Sequence, residues 1–318
     1  DGTTPINIWL EYEKEPSCQL QLRIQFFQSG AIGDLVKEII YSEDDLKEPI
    51  LLDEFERYYL AFCLEAKGEG ELKIGALHKR YSHGPFGEMT VGAQTLRDSK
   101  RQEIFAYFHP GDMKPPLNIY FSGYRPAEGF EGFVMMRRMG SPFILFSDPR
   151  LEGGSFYMGS QELEDQIVAY IDQYLDWLGF GPKEMNFSGL SMGTFGALYY
   201  GSSYSPHAIL VGKPIVNLGD VAANLKFKRP DEFGTSLDMM QLLVGQVSRE
   251  GIDLLNQRFW DRFNQADLKD TILAMAYMRD DDYDQLAYPK ILEALYDHPV
   301  RIISSSRPGR HNDASAPI

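Results

Sequence analysis

The chain has 318 residues, enough for two domains rather than one small core, and its 43% hydrophobic and 24% charged residues are ordinary for a folded globular protein. Its 46 acidic and 31 basic residues leave a formal net charge of -15. That excludes a nucleic-acid partner, which needs a basic footprint, and argues against electrostatic docking on anionic lipid.

The chain opens on Asp1 rather than Met, as a fragment or a processed chain would. Its two cysteines, Cys18 and Cys63, form no C-x-x-C pair and join no zinc-spaced Cys/His cluster. No metal is therefore expected, and such low usage suits a reducing compartment. No run reaches the ~18 apolar residues of a membrane helix, so no transmembrane segment is expected.

Residues 1–113 read as β-structure. Ile6 to Leu10, Leu20 to Ile24, Tyr58 to Leu64 and Glu71 to Ile74 are short runs, several of them alternating apolar with polar residues, and Gly, Pro, Asp and Ser punctuate them. Short strands joined by turns predict an antiparallel β-sandwich. The segment His109 to Pro116 reads as the boundary, giving domains of 1–113 and 114–318.

Beyond it the pattern becomes strand, turn, helix. Leu117 to Phe121 and Pro142 to Phe146 read as buried strands. Leu163, Ile167, Ile171, Tyr174 and Leu178 fall at helical spacing, and Gly179 and Gly181-Pro182 stop that helix. Met185 to Ser188, Ala208 to Val211, Ile272 to Ala276 and Val300 to Ile303 complete an α/β set with a parallel sheet and flanking helices. Residues 214–268 are helical in pattern and read as an insertion capping the site.

The string Gly189-Leu190-Ser191-Met192-Gly193 is a G-x-S-x-G. By chance it occurs in roughly one chain in ten of this length, so its context decides. Here a strand precedes it and a small-residue helix follows, as a nucleophile elbow requires. Ser191 is then the nucleophile, and the Met192 N–H faces the oxyanion.

In an α/β-hydrolase-like sheet the acid and then the base follow the serine along the chain. Only His207, His298 and His311 follow Ser191. His207 and His298 each precede a strand, at the wrong end of the sheet, which leaves His311. The acid belongs in Arg279-Asp280-Asp281-Asp282-Tyr283-Asp284, and Asp281 is preferred, with Asp280 and Asp282 as alternatives. A second oxyanion donor is expected from the backbone of Gly123 or Tyr124, although the usual H-G-G-G string is absent. Arg125, Arg137 and Arg138 read as surface charges rather than an anion site, and Trp177 and Trp260 as core rather than sugar platforms.

The run from Asn186 to Gly201, with Tyr107 to Tyr124 and the Arg279–Asp284 loop, resembles the second accessory secretory protein of the accessory Sec system in Gram-positive cocci. The N-terminal half resembles it more loosely. The resemblance implies a carbohydrate-binding-like β-sandwich ahead of an α/β-hydrolase-like domain. It implies O-acetylation of N-acetylglucosamine on a glycosylated serine-rich-repeat adhesin before export. Sister accessory secretory proteins and the accessory SecA motor are the implied partners. The implied location is the cytoplasm, peripheral to the membrane through the export complex. The family's triad falls on Ser191, Asp281 and His311. No bound cofactor is expected, and acetyl-CoA is the candidate acyl donor, although no Gly-rich phosphate cradle is present. A carbohydrate or small-ester esterase and a non-catalytic export-assembly module are the alternative readings.

Overall fold

A computed structural model describes residues 4–30, 33–53, 58–151, 153–224 and 229–313. The chain divides into two units, Asp1–Gln102 and Glu103–Ile318.

The first unit holds strands β1 (Ile6–Lys14), β2 (Gln19–Gln28), β3 (Leu35–Ser42), β4 (Ile50–Leu52), β5 (Tyr58–Lys67), β6 (Leu72–Tyr81) and β7 (Ala93–Arg97). Two antiparallel three-stranded sheets, ordered β4-β1-β6 and β3-β2-β5, form the expected sandwich. Alternation along β2 turns Leu20, Leu22, Ile24 and Phe26 inward, where they join Ile6, Ile8 and Leu10 of β1 in one core cluster. Trp9 points the other way and is still only 1% exposed. The Arg97 and Arg101 guanidinium carbons lie 3.8 and 3.7 Å from its ring centroid. Cys18 and Cys63 are both free thiols.

The second unit begins earlier than the Pro-rich boundary suggested. Strand β8 (Glu103–His109) pairs antiparallel with β10 (Phe143–Ser147), placing Tyr107 opposite Leu145. The domain boundary therefore lies at 102/103, and His109 to Pro116 is a connection inside the second unit. The reason is burial: Glu103 to Tyr107 are all enclosed, so β8 needs a partner layer on each face.

The remaining strands are β9 (Leu117–Phe121), β11 (Met185–Leu190), β12 (Ala208–Gly212), β13 (Ile272–Met278) and β14 (Arg301–Arg307). Within this unit they run in the order β14-β13-β12-β11-β9-β10-β8, and every pair except β10 with β8 is parallel. Helices α1 (Phe133–Met139), α2 (Gln161–Leu178) and α3 (Met192–Gly201) make the crossovers. Ser160 caps α2 by accepting the Leu163 N–H, and Gly179 ends it at φ 71°. All ten residues of α3 are buried, as befits a central helix apolar on every side.

From β9 the chain steps first to β10 on one side, then to β11 on the other. That reversal opens a crevice at the carboxyl ends of β9 and β11, where open α/β sheets hold their ligands. Between β12 and β13 come α4 (Leu218–Ala223), α5 (Ser236–Val244) and α6 (Arg249–Phe263), with no strand among the described residues. Helix α7 (Ala287–Ala294) lies between β13 and β14.

Candidate active site

Ser191 sits between β11 and α3 at φ 54° and ψ -119°. A serine at positive φ is strained by about 1–3 kcal/mol and persists only where its surroundings enforce it. Here its N–H donates to the Gly212 carbonyl at 2.8 Å, and its carbonyl accepts from the Thr194 N–H at 2.9 Å and the Thr194 hydroxyl at 2.5 Å. The flanking glycines answer a steric demand. A Cβ on Gly189 would lie 2.2 Å from the Gly193 carbonyl oxygen, and one on Gly193 would lie 2.0 Å from that of Phe121. Both obstacles are backbone and cannot swing aside. Gly193→Ala is therefore expected to lower stability by about 3 kcal/mol, read as a fall in urea midpoint with an unchanged slope.

His311 is 1% exposed, and its Nε2 accepts the Ser191 hydroxyl at 2.7 Å. Its Nδ1–H donates to Asp281 Oδ2 at 2.8 Å. Because the carboxylate accepts at Nδ1, that nitrogen holds the proton and Nε2 keeps its lone pair for the hydroxyl. The other Asp281 oxygen, Oδ1, accepts the N–H groups of Tyr283 at 2.8 Å and Asp284 at 3.1 Å. The serine, histidine and aspartate read from the sequence thus form one continuous hydrogen-bonded chain.

The neighbouring carboxylates have separate duties. Asp282 accepts the His311 backbone N–H at 3.0 Å and binds Arg310, so it fixes the loop rather than the ring. Burial works to raise its pKa, but the Arg310 guanidinium and the His311 N–H outweigh burial and hold it below the usual carboxylate range. The Asp280 carboxylate accepts the Gly309 N–H at 3.3 Å, and its own N–H donates to the Gly309 carbonyl at 3.1 Å. Asp284 is enclosed and accepts the Val216 and Asn217 N–H groups at 2.8 and 2.7 Å, tying the segment after β12 to this loop. Burial raises its pKa against those hydrogen bonds.

The oxyanion side needs one correction. The Gly123 N–H is occupied: it donates to Glu131 Oε2 at 2.6 Å, and the Tyr120 hydroxyl donates to the same oxygen at 2.9 Å. Of the two donors proposed from the sequence, this leaves the Tyr124 N–H beside that of Met192, and both residues line the pocket with Ser191. The loop is pinned further by Ser122, whose hydroxyl accepts the Glu131 N–H at 3.0 Å and whose carbonyl accepts the Tyr157 hydroxyl at 2.6 Å. No sequence pattern announces Glu131. Nor does any pattern announce the enclosed Lys213, whose left-handed φ of 58° is unusual for a lysine. Burial lowers the pKa of its ammonium, while the charges of Asp281 and Glu131 work to raise it.

A buried ion pair holds the segment that carries Phe156, one of the residues lining the pocket. Asp148 takes two hydrogen bonds from the Arg150 guanidinium, at 2.9 and 2.7 Å, and also the N–H groups of Ser155 and Tyr157. Both side chains are 0% exposed. Asp148→Ala would break a buried ion pair and remove the acceptor of two backbone N–H groups, so a loss of about 3–5 kcal/mol is expected in chemical unfolding.

The pocket encloses about 260 Å³ over Ser191 and His311, with Phe156, Met192, Ile215 and Phe233 as apolar lining. Asp231 and Glu232 reach it from the insertion. Tyr283 packs on His311 with ring centroids 4.4 Å apart, and burial together with Glu232 pushes its hydroxyl up to about 12, so it remains a donor. Arg125, Arg137, Arg138, Trp177 and Trp260 do not line this pocket. Trp177 is 57% exposed rather than core, while Trp260 packs on Phe259 and Phe263. Among the described residues no cluster of His, Cys, Asp or Glu could hold a metal ion, and no helix is long and apolar enough to cross a membrane.

A serine on a strained strand-to-helix turn, at the switch point of a mostly parallel sheet, defines a protein of the α/β-hydrolase-like class. Within that class the chain belongs to the accessory Sec system GspB-transporter family, whose profile matches residues 1–318. It is 48% identical over 314 residues to an accessory Sec system protein of Streptococcus gordonii, which covers 99% of this chain and 62% of that protein. A similar match to a Staphylococcus aureus protein covers 61% of it, so the chain spans about three fifths of the length of these curated relatives. Among solved structures it superposes on a chain of the Glycosylation Associate Protein complex from Streptococcus agalactiae with a TM-score of 0.93 and 42% identity, over 98% of this chain and 60% of that one. The capsule O-acetyltransferase of Neisseria meningitidis serogroup A matches at a TM-score of 0.53 and 19% identity, over 66% and 85% of the two chains, a likeness of fold.

Proposed function

We propose that this chain is the catalytic region of a serine-dependent O-acetyltransferase that acts on a glycan within the accessory Sec system. The observation that carries the reading is the unbroken run of hydrogen bonds from Ser191 through His311 to Asp281, ending in a pocket. His311 Nε2 takes the Ser191 proton as Oγ attacks the acyl carbonyl, and Asp281 stabilises the imidazolium. The N–H groups of Met192, at the start of α3, and Tyr124 receive the developing oxyanion. The imidazolium then protonates the leaving group. A sugar hydroxyl next gives its proton to His311 and takes the acyl group from Ser191.

Acetyl-CoA is the proposed donor, and N-acetylglucosamine on a serine-rich-repeat adhesin the proposed acceptor. Sister accessory secretory proteins and the accessory SecA motor are the proposed partners, on the cytoplasmic side of the membrane. The relative named as a Glycosylation Associate Protein complex supports the glycan setting and the assembly.

Two measurements test this. The purified chain is given acetyl-CoA and N-acetylglucosamine, and O-acetylated sugar and free acetate are quantified by mass spectrometry. Acetate alone would identify an esterase. In cells, adhesin acetylation and export are measured separately in a strain carrying Ser191→Ala. Loss of acetylation with export retained supports the enzyme, whereas loss of neither leaves only an assembly role.

A further inference from the structure

The proton path through Ser191, His311 and Asp281 is complete without Glu232, yet Glu232 is tied to both loops that build it. Its Oε2 accepts the Tyr283 hydroxyl at 2.9 Å and Asn312 Nδ2 at 2.8 Å. Asn312 directly follows His311, and Tyr283 lies two residues after Asp281. The Tyr283 ring, already against the imidazole, also carries the Arg229 guanidinium 3.9 Å from its centroid. Arg229 is 1% exposed and donates to the carbonyls of Val221, at 2.9 Å, and Asp282. The carboxylate therefore sits in a framework that fixes it relative to the base.

Both of these bonds fall on Oε2. Among the described residues no donor is found for Oε1. Asp231 is the other carboxylate in the lining, and no Lys or Arg side chain joins it among the described residues. Two carboxylates in the lining disfavour an anionic group placed directly against them and can accept from hydroxyl donors. A water nucleophile can also give its second hydrogen to such an acceptor, but gains little placement from it. A sugar gains more, because one hydroxyl can face His311 Nε2 while its neighbour donates to a carboxylate, and that positioning lets it compete with concentrated water.

We infer that Glu232 selects the acyl acceptor: Oε1 receives a hydroxyl adjacent to the one acylated, so the site favours uncharged sugars with vicinal hydroxyls over water and over anionic sugars. The inference rests on the acyl-transfer reading. In the step concerned, the sugar O–H proton passes to His311 Nε2 and the sugar oxygen bonds to the acyl carbon. The bond from that carbon to Ser191 Oγ breaks, and Oγ recovers the proton.

The test uses the whole chain, p-nitrophenyl acetate as donor, and either N-acetylglucosamine or glucuronic acid as acceptor, with acetylated sugar and acetate measured together. Glu232→Gln keeps the shape and one oxygen for Tyr283 and Asn312, but turns the other position from acceptor to donor. The ratio of transfer to hydrolysis with N-acetylglucosamine should fall at least tenfold, and the preference over glucuronic acid should shrink. Tyr283→Phe, which keeps the ring on His311, should lower the same ratio at least threefold. A Glu232→Gln protein whose ratio is unchanged, with both products falling alike, would overturn the inference and leave Glu232 as a prop for the His311 loop. Wild-type protein that releases acetate but never acetylates either sugar would overturn it as well. A wild-type protein that releases no p-nitrophenolate and gains no acetyl mass on Ser191 would fail differently, because acyl-Ser191 itself would not form and the underlying reading would fall first.

Discussion

Ser191→Ala will remove acyl-enzyme formation and leave the protein folded. The hydroxyl makes one side-chain hydrogen bond, to His311 Nε2 at 2.7 Å, and it does not cap α3. The strained backbone at this position is held by Gly212 and Thr194, which alanine leaves untouched. Stability should change by less than about 1 kcal/mol, the usual range for a group that carries so little packing. Chemistry has no substitute for the oxygen. Nucleophile, base and acid act as a unit, and the residual rate comes only from binding and oxyanion stabilisation, so a loss on the order of 10³-fold or more is expected. Burst kinetics with p-nitrophenyl acetate, labelling by a fluorophosphonate and a urea transition measured on one preparation check all three statements. Labelled, burst-competent alanine protein would end the assignment of Ser191.

Asp281→Asn should come close to that defect, at about 10⁴-fold in the acylation rate. An amide at this position can turn its NH₂ toward His311 Nδ1. The imidazole then carries its proton on Nε2, where it can no longer accept the Ser191 hydroxyl. The two neighbours provide the internal control. Asp282→Asn retains an oxygen for the His311 backbone N–H but loses the charge and the Oδ2 hydrogen bonds to Arg310, a side chain on the surface. It should cost less than about tenfold, since exposed ion pairs contribute little. Asp280→Asn, whose carboxylate meets one backbone N–H at 3.3 Å, should be near neutral. An Asp282→Asn defect as large as that of Asp281→Asn would refute the assignment of the acid.

Some of this was readable from residues alone because local sterics and strand direction write it into the chain. The G-x-S-x-G string marks a turn that only glycines can flank. His311 emerged because it alone among the histidines after Ser191 follows a strand rather than preceding one. The helix from Gln161 to Leu178 and the buried strands announced themselves by period and by caps. The boundary at 102/103 is not legible in the sequence, because Pro and Gly at 109–116 look alike in a linker and in a loop inside a domain. Only the pairing of Tyr107 with Leu145 tells them apart.

The sequence by itself therefore determined the class of fold and singled out the serine, the histidine and the short acidic run whose members meet in one hydrogen-bonded chain, all from neighbouring residues or their order along the chain. The tertiary structure decided what depends on the meeting of distant segments. It turns Asp281 to the imidazole while Asp282 takes the backbone, and it spends the Gly123 N–H on Glu131. It also brings Glu232 from the insertion to Tyr283 and Asn312. Three adjacent aspartates share one local propensity, and a backbone N–H has no sequence signature. Such choices follow from which donors lie within about 3 Å once the sheet has closed, a distance that no spacing along the chain encodes.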